Sequence, residues 1–224
     1  EKTPSGLPGE NGRENLSRYA RVPDYHLAAG EVLKQAAGRL AETFPGERFL
    51  PFIDSSPIPE VRTAALAGLG VVGEHGLLIH PEYGSWVFIG TITTSLALGG
   101  SVSDPPPHCP RCGRCAAVCP GDCLGSPSAG RETCLSAITQ KKGELTPEEA
   151  DRIRRNGMAW GCDFCQEACP LNRGTRIAPH PCFDGRYERA LTGESLQDLQ
   201  GKAYGWRGKK VLLRNLSLID GKGG

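Results

Sequence analysis

The chain has one methionine, Met158, among 224 residues, and no hydrophobic run that approaches the length of a membrane span. Crossing a bilayer as a helix takes about 20 consecutive apolar residues, so a membrane-spanning chain is not expected. Net charge is nearly absent too. At +1 there is no electrostatic case for wholesale nucleic-acid binding, and any RNA contact would be local. No segment carries the succession of charged, apolar and small residues that marks a secretory signal. Because the chain opens at Glu1, we expect a product trimmed, processed or cut from something longer.

What the chain does have is sulfur: ten cysteines, most of them in two runs that end in proline. The first is Cys109-Pro-Arg-Cys112-Gly-Arg-Cys115-Ala-Ala-Val-Cys119-Pro120. The second is Cys162-Asp-Phe-Cys165-Gln-Glu-Ala-Cys169-Pro170, and Cys134 lies between them. The first run fits the bacterial ferredoxin pattern, in which three closely spaced thiolates hold one [4Fe–4S] cluster and the fourth reaches across to another. Crossing the fourth ligands places Cys109, Cys112, Cys115 and Cys169 on one cluster. Cys119, Cys162 and Cys165 go to the second, which needs one more sulfur, and Cys134 is the natural candidate. Cys123 and Cys182 are left over as structural or incidental, Cys123 less securely because it sits four residues past Cys119. A disulfide framework belongs to small secreted chains, and zinc ribbons use simple Cys-x-x-Cys pairs. Neither fits these runs as well as two iron–sulfur clusters, and abundant reduced cysteine argues for the cytoplasm.

Ahead of the cysteines, Leu27, Val32, Leu33, Ala36, Ala37, Leu40 and Phe44 recur at helical spacing from Asp24 to Phe44, and Pro45-Gly46 ends the run. Arg48 to Ile53 reads as a short strand that delivers Asp54 at its end. Pro59 to Leu69 reads as a helix, and Leu77 to Ile79 and Trp86 to Ile92 as strands around the turn Pro81-Glu-Tyr-Gly-Ser85. These elements suggest an α/β layer domain. Ser101 to Pro107 is a linker, and Thr146 to Met158 a helix with Thr146 as N-cap and Pro147 at its first position. Residues 195–218 carry two short amphipathic segments around the basic run Trp206-Arg-Gly-Lys-Lys210. Gly68, Gly70 and Gly73 suggest a backbone that a large ligand approaches closely, with plain turn chemistry as the alternative.

The order of these motifs carries a further signal. Tyr19-Ala-Arg-Val-Pro-Asp24-Tyr25-His26, Asp54-Ser-Ser-Pro-Ile-Pro-Glu60, Ala67-Gly-Leu-Gly70-Val-Val-Gly73-Glu-His75 and Pro81-Glu-Tyr-Gly84-Ser85 precede the cysteine runs. Arg131-Glu-Thr-Cys134-Leu-Ser136 and Gly161-Cys-Asp163-Phe-Cys-Gln166 follow. Over residues 17–175 the chain resembles the cobalamin-dependent epoxyqueuosine reductases, which complete queuosine on tRNA. The resemblance implies an α+β protein: a partial α/β corrinoid-binding domain, a bacterial-ferredoxin-like two-cluster module and a short helical C-terminal tail. The expected boundaries are 1–16 loop, 17–104 corrinoid-binding domain, 105–180 cluster module and 181–224 tail.

The resemblance assigns the same two cysteine quartets and implies that Asp54 donates a proton. It places His75 and Leu78, with Ser136 and Asp163 on the cluster side, against a bound cobalamin. His75 is expected to hydrogen-bond rather than to ligate cobalt. Glu74 stands where the family usually has a lysine. Opening an epoxide to an alkene removes oxygen as water, and a low-valent cobalt supplies a reductant that side chains lack. An aspartic acid does general-acid work where its surroundings favour the protonated form. tRNA is the implied partner, with Lys141-Lys142 and Lys209-Lys210 as candidate contacts. A ferredoxin or flavodoxin is the implied electron donor to a cytoplasmic monomer. Two other readings stand beside this one: a double-cluster electron carrier without corrinoid, and a corrinoid reductase or dehalogenase with another substrate.

Overall fold

The computed structural model describes residues 14–100, 108–124, 130–177, 183 and 187–221. The expected linker at 101–107, and Cys182, lie outside the described residues. The fold mixes helices with two small antiparallel sheets. Its described residues divide into two compact units interleaved along the chain: Tyr25–Cys112 with Pro170–Ala178, and Glu1–Asp24 with Gly113–Cys169 and Pro179–Gly224.

In the unit that begins at Tyr25, helix α1 (Tyr25–Thr43) packs on a two-stranded sheet of β1 (Phe49–Ile53) and β4 (Gly90–Thr94). The strands run antiparallel, Phe49 opposite Thr94 and Ile53 opposite Gly90. Two strands are marginal alone, so α1 supplies the apolar cover that they need. That cover differs from the expected stripe. Tyr25, Ala28 and Ala37 are buried, Leu33, Ala36 and Leu40 half-buried, and Leu27, Val32 and Phe44 exposed. Small residues face the sheet because it lies close. A Cβ on Gly90 would sit 2.8 Å from both Leu33 methyls, and the strand expected at 86–92 forms instead at 90–94. Phe88 leaves the sheet to stack on Tyr25, with ring centroids 4.1 Å apart and planes 6° from parallel.

Helix α2 (Glu60–Leu66) leads into a hairpin of β2 (Val71–Val72) and β3 (Leu78–Ile79). The glycines before and within this hairpin are explained by its own packing. A Cβ on Gly70 would meet the Ile79 carbonyl oxygen at 2.3 Å, and one on Gly73 the His75 ring at 2.6 Å. These close approaches are made by the partner strand and by His75.

The other unit is helical. It contains α3 (Arg114–Ala117), α4 (Leu135–Gln140), α5 (Pro147–Asn156), α6 (Phe164–Glu167) and α7 (Lys209–Ile219). Helix α5 starts where the sequence predicts, with a capping box. Thr146 Oγ1 accepts from the Glu149 N–H, and the Glu149 carboxylate accepts from the Thr146 N–H at 2.9 Å. One core gathers Leu135, Ile138, Ile153 and Met158. A second gathers Leu16, Trp160, Leu191, Tyr204 and Leu212. Asn215 of α7 is fully buried and donates to the carbonyls of Thr139 at 2.7 Å and Ala159 at 2.8 Å, joining α7 to α4 and to the segment that leads into Cys162. The two amphipathic segments expected in 195–218 reduce to α7 and a 3-10 turn at Gly205–Arg207. Among the described residues, no helix is long and apolar enough to cross a membrane.

Candidate functional site

Strand β1 delivers Asp54 into a turn closed by the Ser55 N–H on the Ile53 carbonyl oxygen at 2.7 Å. Asp54 itself has φ +59°, a left-handed conformation unusual for a residue with a Cβ. Such strain costs on the order of 1–3 kcal/mol and clusters at functional sites. The first turn of α1 faces this aspartate. The Tyr25 hydroxyl donates to Asp54 Oδ2, and His26 Nε2 lies 3.0 Å from the same oxygen. Tyr25 is sandwiched between Phe88 and the His26 ring, which fixes its hydroxyl. Glu60, at the start of α2, lies near Asp54. Burial first, and then repulsion from Asp54, raise its pKa above the ordinary carboxylate value. One carboxylate oxygen of Asp54 is thus held on a Tyr–His pair. The other has no hydrogen-bond partner among the described residues, and the side chain is 48 % exposed. This is the arrangement of a positioned acid open to a ligand. Tyr25, His26 and Glu60 were not assigned roles from sequence; the Asp24-Tyr25-His26 tripeptide at a helix start was the available signal.

The thiols form the second constellation. Helix α3, with Cys115, packs against α6, with Cys165. Cys165 feels the charges of Cys134 and Cys119, and Cys162 those of Cys165 and Cys134, so the structure brings Cys119, Cys134, Cys162 and Cys165 together. Burial, reinforced by neighbouring sulfurs, pushes the Cys165 thiol up to about 12, and burial raises that of Cys162 further. Such sulfurs stay protonated until a cation replaces the proton. Among the described residues no three His, Cys, Asp or Glu side chains converge on a point that one metal ion would fill. A cubane asks for something else, since each thiolate binds its own iron. Of the other quartet, Cys109 and Cys112 belong to the unit that contains α1, and Cys115 and Cys169, both buried, to the helical unit. Cys123 was set aside from sequence. Its sulfur lies 3.3 Å from that of Cys119.

The remaining candidates fall in different places. His75 is buried. Its Nδ1 accepts from the Leu77 N–H at 3.2 Å, and its Nε2 is buried without a partner among the described residues. Burial lowers its pKa. Leu78 is buried in β3, next to it in the same hairpin. Ser136 is half-buried on α4, bonded to Gln140. The buried Asp163 carboxylate accepts from the Ser17 hydroxyl at 2.7 Å, the Arg18 N–H at 2.6 Å and Gln166 at 3.1 Å. It ties the segment before α1 to the cysteine loop. Lys141 is paired with Glu149 at 2.8 Å, whereas Lys209 and Lys210 open α7.

Helices that bury convergent thiols from two proline-ended cysteine runs define an iron–sulfur protein of the double-cluster kind. The profile of the 4Fe-4S double cluster binding domain matches residues 108–172. Similarity extends well beyond those residues. An epoxyqueuosine reductase of Gloeobacter violaceus is 38% identical over 76% of this chain and 53% of its own length. One of Synechocystis is 36% identical over 84% of this chain and 67% of its own. A crystal structure of epoxyqueuosine reductase with an epoxyqueuosine-modified tRNA-Tyr stem loop superimposes with a TM-score of 0.79 at 26% identity, over 96% of this chain and 61% of that one. The chain belongs to the epoxyqueuosine reductase family. It spans about half to two thirds of the length of these relatives.

Proposed function

We propose that this chain carries the catalytic and electron-transfer parts of an epoxyqueuosine reductase, which reduces epoxyqueuosine in tRNA to queuosine. The observation that carries the proposal is the Asp54 carboxyl, strained at its backbone, with one oxygen on Tyr25 and His26 and the other free. Converting an epoxide to an alkene consumes two electrons and two protons and releases water. The Asp54 carboxyl gives a proton to the departing oxygen, and the Tyr25 hydroxyl and His26 Nε2 orient it and return the proton. Cys109, Cys112, Cys115 and Cys169 would hold one [4Fe–4S] cluster and Cys119, Cys134, Cys162 and Cys165 a second, and the pair would supply the electrons. Cobalamin, when bound, supplies the low-valent metal reductant that these side chains lack. The unpartnered, buried His75 Nε2 favours a bound group at that hairpin, and His75 and Leu78, with Ser136 and Asp163, would hold it. Residues 17–104 would form the corrinoid domain, 105–180 the cluster module and 181–224 the tail. The protein would act as a cytoplasmic monomer fed by a ferredoxin or flavodoxin, with Lys209 and Lys210 toward the tRNA backbone.

The test is anaerobic reconstitution with iron, sulfide and cobalamin, followed by metal analysis and turnover of an epoxyqueuosine-modified stem loop. About eight irons per chain with retained cobalt and queuosine formation is the expected result. Iron without cobalt or turnover would replace the proposal with the electron-carrier reading.

A further inference from the structure

Five thiols, not four, occupy the neighbourhood of the second cluster, and the surplus one is held there by its own turn. Cys123 follows Cys119 through Pro120-Gly121-Asp122. Gly121 lies against the backbone beside Cys134, so closely that a Cβ on it would sit 2.0 Å from the Thr133 carbonyl oxygen and 3.3 Å from the Cys134 Cα. Arg152 donates to that same Thr133 oxygen at 3.2 Å. Asp122 then turns the chain with φ +48°, its N–H donating to the Cys119 carbonyl at 3.1 Å. A left-handed aspartate needs surrounding structure to hold it. The turn brings the Cys123 sulfur to 3.3 Å from that of Cys119 and close enough to feel the charge of Cys134. It stands next to one of the four sulfurs assigned to the cluster, on a turn that packs against the backbone of another.

We propose that Cys123 is a reserve iron ligand: it takes the fourth iron of the second cluster when Cys134 does not hold it. The exchange moves no electrons. Cys123 binds iron as its thiolate and releases its proton to water, and the departing Cys134 sulfur takes a proton up. A cubane gives each iron one thiolate, so a fifth sulfur beside Cys134 can replace it without displacing the other three. The inference rests on the assignment of Cys119, Cys134, Cys162 and Cys165 to one cluster, and its test keeps the two questions apart.

The full chain and its Cys134→Ser, Cys123→Ser, Cys123→Ser/Cys134→Ser and Cys162→Ser variants are reconstituted anaerobically with ferrous iron and sulfide. Iron is measured per chain, and free thiols are alkylated with iodoacetamide and located by mass spectrometry. The wild type, Cys134→Ser and Cys123→Ser should each hold about eight irons, and the double variant about four. In Cys134→Ser, Cys123 should be shielded from alkylation. If Cys134→Ser holds no more iron than the double variant, with Cys123 alkylated, the reserve role is overturned. It is overturned equally if Cys123→Ser alone halves the iron, which would make Cys123 the resident ligand. Cys162→Ser tests the cluster assignment by itself: about four irons upholds it, and about eight removes it and the reserve role together.

Discussion

Replacing Asp163 with alanine should separate an architectural role from a cofactor contact. Its carboxylate is buried and takes three hydrogen bonds, from the Ser17 hydroxyl, the Arg18 N–H and the Gln166 amide. Hydrogen bonds to a charged group contribute roughly 1.5–3 kcal/mol each, and a buried donor left without a partner costs about 1–3 kcal/mol. Ser17 is 1% exposed, so water cannot easily take over its bond. Gln166 is half-buried and can turn toward solvent. Counting the Ser17 and Arg18 bonds alone, Asp163→Ala should lose about 3–6 kcal/mol, a large share of the 5–15 kcal/mol typical of folded domains. With a guanidinium m-value of roughly 5 kcal/mol per M, the unfolding midpoint drops by about 0.6–1.2 M at unchanged slope. Asp163→Asn keeps one acceptor and should lose less.

The assay is anaerobic guanidinium unfolding followed by tryptophan fluorescence, with iron retention measured in parallel because Cys162 and Cys165 flank the residue. An unchanged midpoint with diminished cobalt retention would refute the architectural argument and leave Asp163 as a cofactor contact alone.

Asp54→Asn should keep its iron but lose stem-loop turnover by about 10²–10⁴-fold, the usual contribution of a positioned acid. Tyr25→Phe, which removes one bond to Asp54, should lower turnover about tenfold without changing iron content. For His75, burial lowers the folded pKa below the ordinary value of about 6.5. The unfolded chain therefore binds a proton that the folded state excludes. The stability that depends on neutral His75 is fully present above about pH 6.5 and is lost as pH falls from there through the folded value, at up to about 1.4 kcal/mol per pH unit. Thermal unfolding of the wild type against His75→Gln, from neutral to mildly acidic pH, should show the difference narrowing toward acid; a constant difference would contradict it.

The elements that were legible in the sequence are those set by local chemistry. The capping box at Thr146 and Glu149, the Pro45-Gly46 stop after α1 and the strand before Asp54 all depend on neighbours in the chain. The start of β4 depends instead on Leu33 lying over Gly90, and the exposure of Leu27 and Val32 on which face of α1 meets the sheet. No spacing rule carries that information. At the site, cysteine spacing pointed to the convergent sulfurs, whereas the Tyr25 and His26 contacts to Asp54 bridge nearly thirty positions. Cys123 was set aside because counting ligands to four left it over. Only the fold of the 119–123 turn shows that it points back at Cys119.

The strain at Asp54 makes a prediction whose sign is unusual. At most positions alanine is more stable than glycine, by about 0.4–1 kcal/mol, because glycine leaves the unfolded chain more freedom. At φ +59° the preference should invert, since a Cβ in the left-handed region costs about 1–2 kcal/mol that glycine avoids. Both substitutions remove the same bonds to Tyr25 and His26, so those losses cancel when the two variants are compared. Asp54→Gly should therefore be more stable than Asp54→Ala by up to about 1.5 kcal/mol, and both should be inactive. If Asp54→Ala proves the more stable in denaturant unfolding, the left-handed turn is not a fixed feature of the folded protein. If glycine wins, the chain keeps an aspartate where a residue without a side chain fits the backbone better, and the carboxyl itself is what the turn is built to present.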